Sequence, residues 1–224
     1  MTHYRNQITF VQQLKRLIWQ CRLAMFPISK RVLDVSVSLL AIILLSPLLM
    51  VVSLAIKLES PGALFFRQRR VGLDGMPFMM WKFRSMHSDA EARKAELAAD
   101  NEVDQGVLFK IKKDPRVTKV GAVIRKMSID ELPQLINVLI GDMSLVGPRP
   151  PLPSEVAQYR RVDRARLTVR PGITCLWQVS GRSDIPFEMQ VTLDVEYIER
   201  QSIGFDLLLL LKTIPAVLLA RGAY

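Results

Sequence analysis

Apolar and polar positions divide the chain into three stretches. Residues 1–31 place Phe10, Leu14, Leu17, Ile18 and Trp19 so that a helix would carry them on one side. The same stretch holds Arg5, Lys15, Arg16, Arg22, Lys30 and Arg31 and no acid, which predicts a basic amphipathic segment on an anionic lipid surface. An uncharged run of 22 residues follows, Val35–Ile56. As a helix it is long enough to cross a hydrocarbon core of about 30 Å. Its flanks argue against crossing: Lys30 and Arg31 precede it and Lys57, Arg67, Arg69 and Arg70 follow it, whereas a spanning helix keeps its basic residues on one side. Ser46 and Pro47 stand at its centre, where proline removes a donor and clashes with the preceding turn. The pattern predicts a helix, a break at Ser46-Pro47 and a second helix returning to the same face, each arm about 11 to 13 residues and too short to cross. A signal peptide fits less well, because the basic region ahead of the run is too long.

Beyond Lys57 the chain becomes polar and basic. Turn signals at Pro61-Gly62 and Leu73-Asp74-Gly75 frame Leu64–Val71 and Phe78–Phe83 as short strands or a hairpin. Ser88–Asp104 is rich in alanine and charge, with a capping-box spacing at Ser88 and Glu91, and predicts a solvated surface helix. Further helices are expected over Glu131–Leu139 and from about Phe205 to Ala220, the latter interrupted by Pro215 and lying in the interface or the core. The expected fold is an α-rich α+β arrangement: a basic amphipathic segment (1–30), a re-entrant membrane helix hairpin (31–58), and a small cytoplasmic catalytic domain with interfacial amphipathic helices (59–224).

Composition narrows the partners. At 224 residues the chain suits one catalytic unit with appendages. Its mean hydropathy of +0.19 is apolar for a soluble protein and far below that of a polytopic one. The net charge of +10 favours anionic partners: lipid head groups, nucleotides or nucleic acid. With 7% aromatics and no reader motif, nucleic acid is not expected. Cys21 and Cys175 lie far apart and are read as ordinary reduced residues.

The stretch Arg125–Gln134 (RKMSIDELPQ) carries the most chemistry. Pro133 belongs in a first helical turn, which puts Asp130 near the helix start and Glu131 within that turn. Ser128 or Asp130 as a plain helix cap, with Glu131 closing a capping box, reads the same residues equally well. Around them stand cations on stiff frames: Arg149 within Gly147-Pro-Arg-Pro-Pro151, Arg170 before Pro171-Gly172, and Lys82 and Arg84 two apart on one strand face. Planar guanidinium groups pair with two phosphate oxygens, and a helix start with nearby cations suits phosphoryl transfer. An aspartate can accept a phosphoryl group covalently, and a neighbouring carboxylate can hold magnesium against a diphosphate.

The motifs KRVLDVSVSLLAIILLSPLLMVVSLAIKLESPG, FFRQRRVG, WKFRSM, DPRVTKVG, SIDELPQLINVLIGDMSLVGPRP, RPGIT and RGAY together resemble the bacterial sugar transferase family of monotopic polyprenyl-phosphate phosphoglycosyl transferases, from about Lys30 to Tyr224. The resemblance implies a hairpin break at Ser46-Pro47, a catalytic pair Asp130-Glu131 and phosphate-binding Arg125 and Arg149. It also implies magnesium held at Glu131, a phosphosugar-aspartate intermediate, a UDP-sugar donor, UMP as first product and undecaprenyl phosphate as acceptor. Lys82, Arg84 and Arg170 are expected to assist substrate binding. The implied setting is the bacterial inner membrane, catalytic domain toward the cytoplasm, at the first membrane step of exopolysaccharide, capsule or O-antigen synthesis, with a homodimer left open. Ser180–Asp184 (SGRSD) is reminiscent of members using UDP-glucose or UDP-galactose. Cys175 stands where the family usually has glycine, which would be costly if that backbone needed a positive φ. Two rivals remain: direct one-step transfer with Asp130 binding only metal, and a basic membrane scaffold without catalysis.

Overall fold

The computed structural model describes residues 2–87, 89–90, 114–181 and 185–218, with side chains from Met25 to Val217. Apart from residues 89–90, which form a turn, the expected helix over Ser88–Asp104 lies outside these residues, as do the Arg182–Asp184 part of the SGRSD stretch, the terminal RGAY and the side chains of the basic amphipathic stretch up to Ala24.

One helix, α1 (Thr2–Glu59), runs through both the basic stretch and the apolar run. Neither residue 30 nor Ser46-Pro47 interrupts its backbone, where a non-helical break was expected at the latter. Pro47 has no N–H to offer the carbonyl of Ile43 four residues back. The Ser46 hydroxyl donates to that same oxygen at 2.8 Å, so the acceptor is not orphaned. Met25–Glu59 is long and apolar enough to cross a membrane by length and composition. Leu40, Ile43, Leu44, Met50 and Val51 on it are 57–73% exposed, an apolar face larger than water-soluble surfaces tolerate.

Both ends of that apolar stretch are fastened to one body. At the near end, Lys30 Nζ lies 2.6 Å from Asp206 and 3.0 Å from the Val146 carbonyl. Arg31 donates to the carbonyls of Val138 and Leu139 at 2.5 and 2.7 Å. Asp34 accepts from Ser144 Oγ and Leu145 N, both at 3.0 Å. At the far end, Val52 and Ile56 pack with Phe83, Ile124 and Ile129, and Glu59 accepts the amides of Lys119 and Val120 at 2.7 and 3.0 Å.

That body is helix-rich with two small sheets. β1 (Phe65–Val71) and β2 (Pro77–Phe83) form the expected antiparallel hairpin, with Phe66 opposite Lys82. Helix α2 (Lys119–Lys126) and a 3-10 turn (Ile129–Glu131) lead into α3 (Gln134–Ile140). Strand β3 (Ser144–Val146) pairs in parallel with β4 (Gly172–Thr174), and α4 (Pro153–Ala157) lies in the connection between them. Helices α5 (Phe187–Glu199) and α6 (Ile203–Leu218) are the last described elements, the latter passing helically through Pro215, where an interruption was expected. The main core gathers Met80 (β2), Leu135 and Val138 (α3), Leu145 and Val146 (β3), Tyr197 (α5) and Leu209 (α6), with Ala41 and Ile42 of α1 against it. Leu132 packs against both this cluster and the one under Val52.

The β3–β4 crossing admits no side chain at its centre. A Cβ on Gly172 would lie 2.1 Å from the Gly147 nitrogen, and one on Gly147 would lie 2.4 Å from the Arg170 carbonyl oxygen. These are the glycines of the GPRPP and RPGIT motifs, so close backbone contact explains both. Cys175, just past β4, is 1% exposed and has no positive φ, so the strain feared for it in place of glycine does not arise. Gly172→Ala should therefore lower stability by about 3 kcal/mol through overpacking, read as a fall of roughly 5–10 °C in Tm. Gly204→Ala in α6, where a Cβ meets nothing within 4 Å, should leave Tm unchanged in the same thermal melts.

Candidate active site

The candidate carboxylates sit between α2 and α3. Thr118 caps α2 by accepting from Gly121 N at 2.9 Å, and the chain leaves that helix through Ser128, a non-glycine residue in the left-handed region at φ 55°. This conformation turns the chain sharply and delivers Asp130 and Glu131 in the 3-10 turn ahead of α3. Pro133, lacking an N–H, falls before the first residue of α3 rather than within its first turn. Asp130 therefore does not lie at a helix start, and Ser128 makes no side-chain cap. Nearby side chains, Lys82 foremost, act on this pair.

Lys82 stands on β2. Its ammonium lies 2.6 Å from Glu131 Oε1 and 4.0 Å from Asp130 Oδ2. Burial of Asp130, whose side chain is 11% exposed, pushes its carboxyl up to about 6. Lys82 and Arg125 work against this rise and Glu131 adds to it. In Glu131 burial acts upward, but Lys82, by charge and hydrogen bond, and then Arg149 and Arg70 hold the carboxyl below its ordinary value. Two adjacent carboxylates are thus driven apart by their surroundings, one hard to ionise and one held ionised.

Of the expected cations, Lys82, Arg125 and Arg149 surround this pair. Arg125, at the end of α2, donates from Nε to Ser85 Oγ at 2.8 Å, and its guanidinium feels Asp130. Arg149 is half-buried, acts on Glu131, and among the described residues makes no hydrogen bond or ion pair. Arg84 and Arg170 are turned elsewhere. β2 ends at Phe83, so strand alternation no longer governs Arg84, which donates to the carbonyls of Ser60 and Pro61 at 2.6 and 2.8 Å. Exposed Arg170 donates to the Gly141 carbonyl at 2.9 Å, closing the end of α3.

Arg70 escaped the sequence reading. It is buried on β1, donates to the Pro150 carbonyl at 3.0 Å and to Gln68 Oε1 at 2.6 Å, and is lowered to about 10 by burial and by the Arg149 guanidinium. With the Val71 amide, which donates to Pro151 O at 2.9 Å, it holds the proline-rich segment that presents Arg149. FFRQRRVG shows three arginines but not which one turns inward.

Among the described residues no three His, Cys, Asp or Glu side chains converge. Asp130 and Glu131 alone could not enclose an ion. One or two carboxylates completed by substrate phosphate oxygens is, however, the usual magnesium arrangement, and this pair suits it. Glu131, with a side chain 30% exposed, is the more accessible of the two.

Residues 25–220 match the family model described as bacterial sugar transferase. The chain is 42% identical over 200 residues to the exopolysaccharide production protein ExoY of Sinorhizobium fredii, covering 88% of both chains. It is 41% identical over 203 residues to the UDP-glucose:undecaprenyl-phosphate glucose-1-phosphate transferase of Escherichia coli, covering 87% of this chain and 41% of that protein. It is also 41% identical over 198 residues to the undecaprenyl-phosphate galactose phosphotransferase of Salmonella typhimurium, with the same coverage. The chain thus spans most of the first relative and about two fifths of the other two.

The Asp130 environment has a consequence for stability. A carboxyl whose folded-state pKa lies above its unfolded value binds its proton more tightly when folded. Stability is then greatest below the unfolded value near 3.8 and falls as pH rises through about 6. Asp130→Asn should remove this loss, making the variant more stable than the parent by on the order of 2 kcal/mol at pH 7.5 and no more stable near pH 4. Thermal melts at the two pH values check this.

Proposed function

The chain belongs to the bacterial sugar transferase family, and we propose that it transfers a hexose 1-phosphate from a UDP-sugar to undecaprenyl phosphate, releasing UMP. The relatives named for glucose and for galactose phosphate transfer support a hexose donor. The observation that carries the reading is the pair of adjacent carboxylates under Lys82, flanked by Arg70, Arg125 and Arg149, whose guanidinium groups make no close ion pair with a carboxylate among the described residues. Phosphates would bring the missing negative charge.

In the proposed reaction a carboxylate oxygen of Asp130 attacks the sugar-linked phosphorus of the donor. A P–O bond forms to Asp130, the P–O bond to UMP breaks, and UMP leaves with the electron pair. An oxygen of the carrier phosphate then attacks the same phosphorus, and the Asp130 carboxylate leaves. Burial favours a nucleophile free of a tight water shell, while Lys82 and Arg125 keep a useful fraction ionised near neutral pH. Arg149, and Arg70 behind it, would hold diphosphate oxygens, where a planar fork outperforms a point charge. Magnesium, held by Glu131 together with substrate phosphates, would neutralise the diphosphate.

The membrane part of the proposal follows from the two fastenings of α1. A helix with both ends on one body cannot cross a bilayer without dragging that body through it. We place α1 as a re-entrant element bent near Ser46-Pro47, its exposed apolar face in the inner-membrane leaflet next to an anionic lipid surface and the catalytic body on the cytoplasmic side, where UDP-sugars are made. An acceptor whose tail stays in lipid would then present its phosphate at the depth of Asp130. Cysteine labelling of intact cells from outside should leave probes on both sides of α1 unreacted; reaction of the N-terminal probe alone would rule out this topology.

The catalytic reading is tested by UMP release from UDP-glucose and UDP-galactose. Donor and magnesium without acceptor should give a burst of one equivalent of UMP and a hexose phosphate on the Asp130 peptide. Asp130→Asn should abolish both and lower turnover by about four powers of ten. UMP release only when acceptor is present would favour one-step transfer, and none under any condition would favour a scaffold. Turnover should also fall as pH drops through about 6, where Asp130 becomes protonated.

A further inference from the structure

Strand β2 has β1 on one edge and no strand on the other among the described residues. Among the described residues, the side chain that hydrogen-bonds the backbone of that second edge is Asn137. Asn137, fully buried on α3, donates from Nδ2 to the Met79 carbonyl at 2.8 Å and accepts from the Trp81 amide on Oδ1 at 3.0 Å. Its carboxamide thus does what one peptide unit of a third strand would do. Nδ2 also reaches Asp142 Oδ2 at 3.2 Å, while the Asn137 carbonyl accepts from Gly141, Asp142 and Met143 amides at 3.0–3.2 Å. The residue is therefore held at both its main chain and its side chain.

The two bonds to β2 lie two residues apart and immediately precede Lys82. A one-residue slip of a strand turns every side chain to the opposite face, so pinning Met79 and Trp81 decides where the Lys82 ammonium falls. On the other side, α3 begins three residues after Glu131. Asn137 therefore connects the element carrying the cation to the element carrying the carboxylates. A carboxamide offers its donor and acceptor on separate atoms, as a peptide unit does; a carboxylate would set an acceptor against the Met79 carbonyl.

We propose that Asn137 is a positioning residue that fixes the register of β2 against α3 and so sets Lys82 between Glu131 and Asp130. The proposal rests on reading those carboxylates as the catalytic pair.

The test uses the full chain in nanodiscs with Asn137→Asp and Asn137→Ala. Two readouts are taken: turnover of UDP-glucose at one pH, and hydrogen exchange of the β2 amides, which needs no activity. We expect turnover to fall roughly 10- to 100-fold in variants that still fold, and the amides of residues 79–83 to exchange faster than in the parent. In a Lys82→Met background, adding Asn137→Ala should cost no further turnover, because the two changes act through the same ammonium. A lowered Tm with unchanged turnover, a loss of turnover that multiplies fully with that of Lys82→Met, or failure of both variants to fold would each assign Asn137 to stability alone and overturn the proposal. Retained turnover in Asp130→Asn would instead remove the catalytic reading while leaving the exchange result to stand by itself.

Discussion

A long apolar stretch whose flanking charges Lys30, Arg31, Asp34 and Glu59 are bound to one globular body is the constraint on which the rest of this molecule depends. Charged groups left in hydrocarbon are costly, and in α1 they are not left there. Lys30, Arg31 and Asp34 bind α6, the end of α3 and the start of β3, while Glu59 supplies the amides at the start of α2 with acceptors. The helix is thereby part of the scaffold as much as it is an anchor. α2 and α3, the two helices flanking Asp130 and Glu131, are each tied to one of its ends, so the depth of α1 in lipid and the position of the carboxylates are coupled through hydrogen bonds.

Within that frame the site separates two like groups. Neighbouring carboxylates repel in a low-dielectric setting, and one proton shared between them is the usual outcome. Lys82 breaks the symmetry by standing 2.6 Å from Glu131 and 4.0 Å from Asp130. The asymmetry of 1.4 Å, the difference of those two distances, leaves Glu131 as the settled anion and Asp130 as the responsive one. The Ser128 backbone and the buried Asp130 carboxyl both oppose folding, and they sit where the proposed reaction needs a reactive group. That is where strain is commonly stored.

Several elements were legible before the structure. The β1–β2 hairpin follows from turn residues around two short runs, and the adjacency of Asp130 and Glu131 is a matter of covalent sequence. The stiffness of the proline frame around Arg149 is likewise intrinsic to its backbone. Helix boundaries were less legible. Pro133 was placed inside a first turn and stands just before it, and Pro215 was expected to interrupt a helix that passes through it. In each case local propensity names the residue that matters, while the final hydrogen-bond ladder depends on which acceptors neighbouring groups satisfy. Ser46, donating to the carbonyl that Pro47 cannot serve, is the clearest instance.

By itself the sequence determined the apolar run, its basic flanks, the carboxylate pair and the rigid Arg149, because these rest on composition, chain stiffness and spacing along a few residues. Tertiary structure alone decided which cations face the pair. Lys82 and Arg84 look equivalent on a strand, yet the strand ends at Phe83 and Arg84 turns to Ser60 and Pro61. Arg70 resembles its neighbours Arg67 and Arg69 until burial singles it out. Asn137 is one polar residue in a helical run until β2 arrives with two unpaired backbone groups. Such roles are set by contacts between residues about 25 to 80 positions apart in the chain. No local pattern encodes them, because each exists only once packing has brought a partner within hydrogen-bond reach.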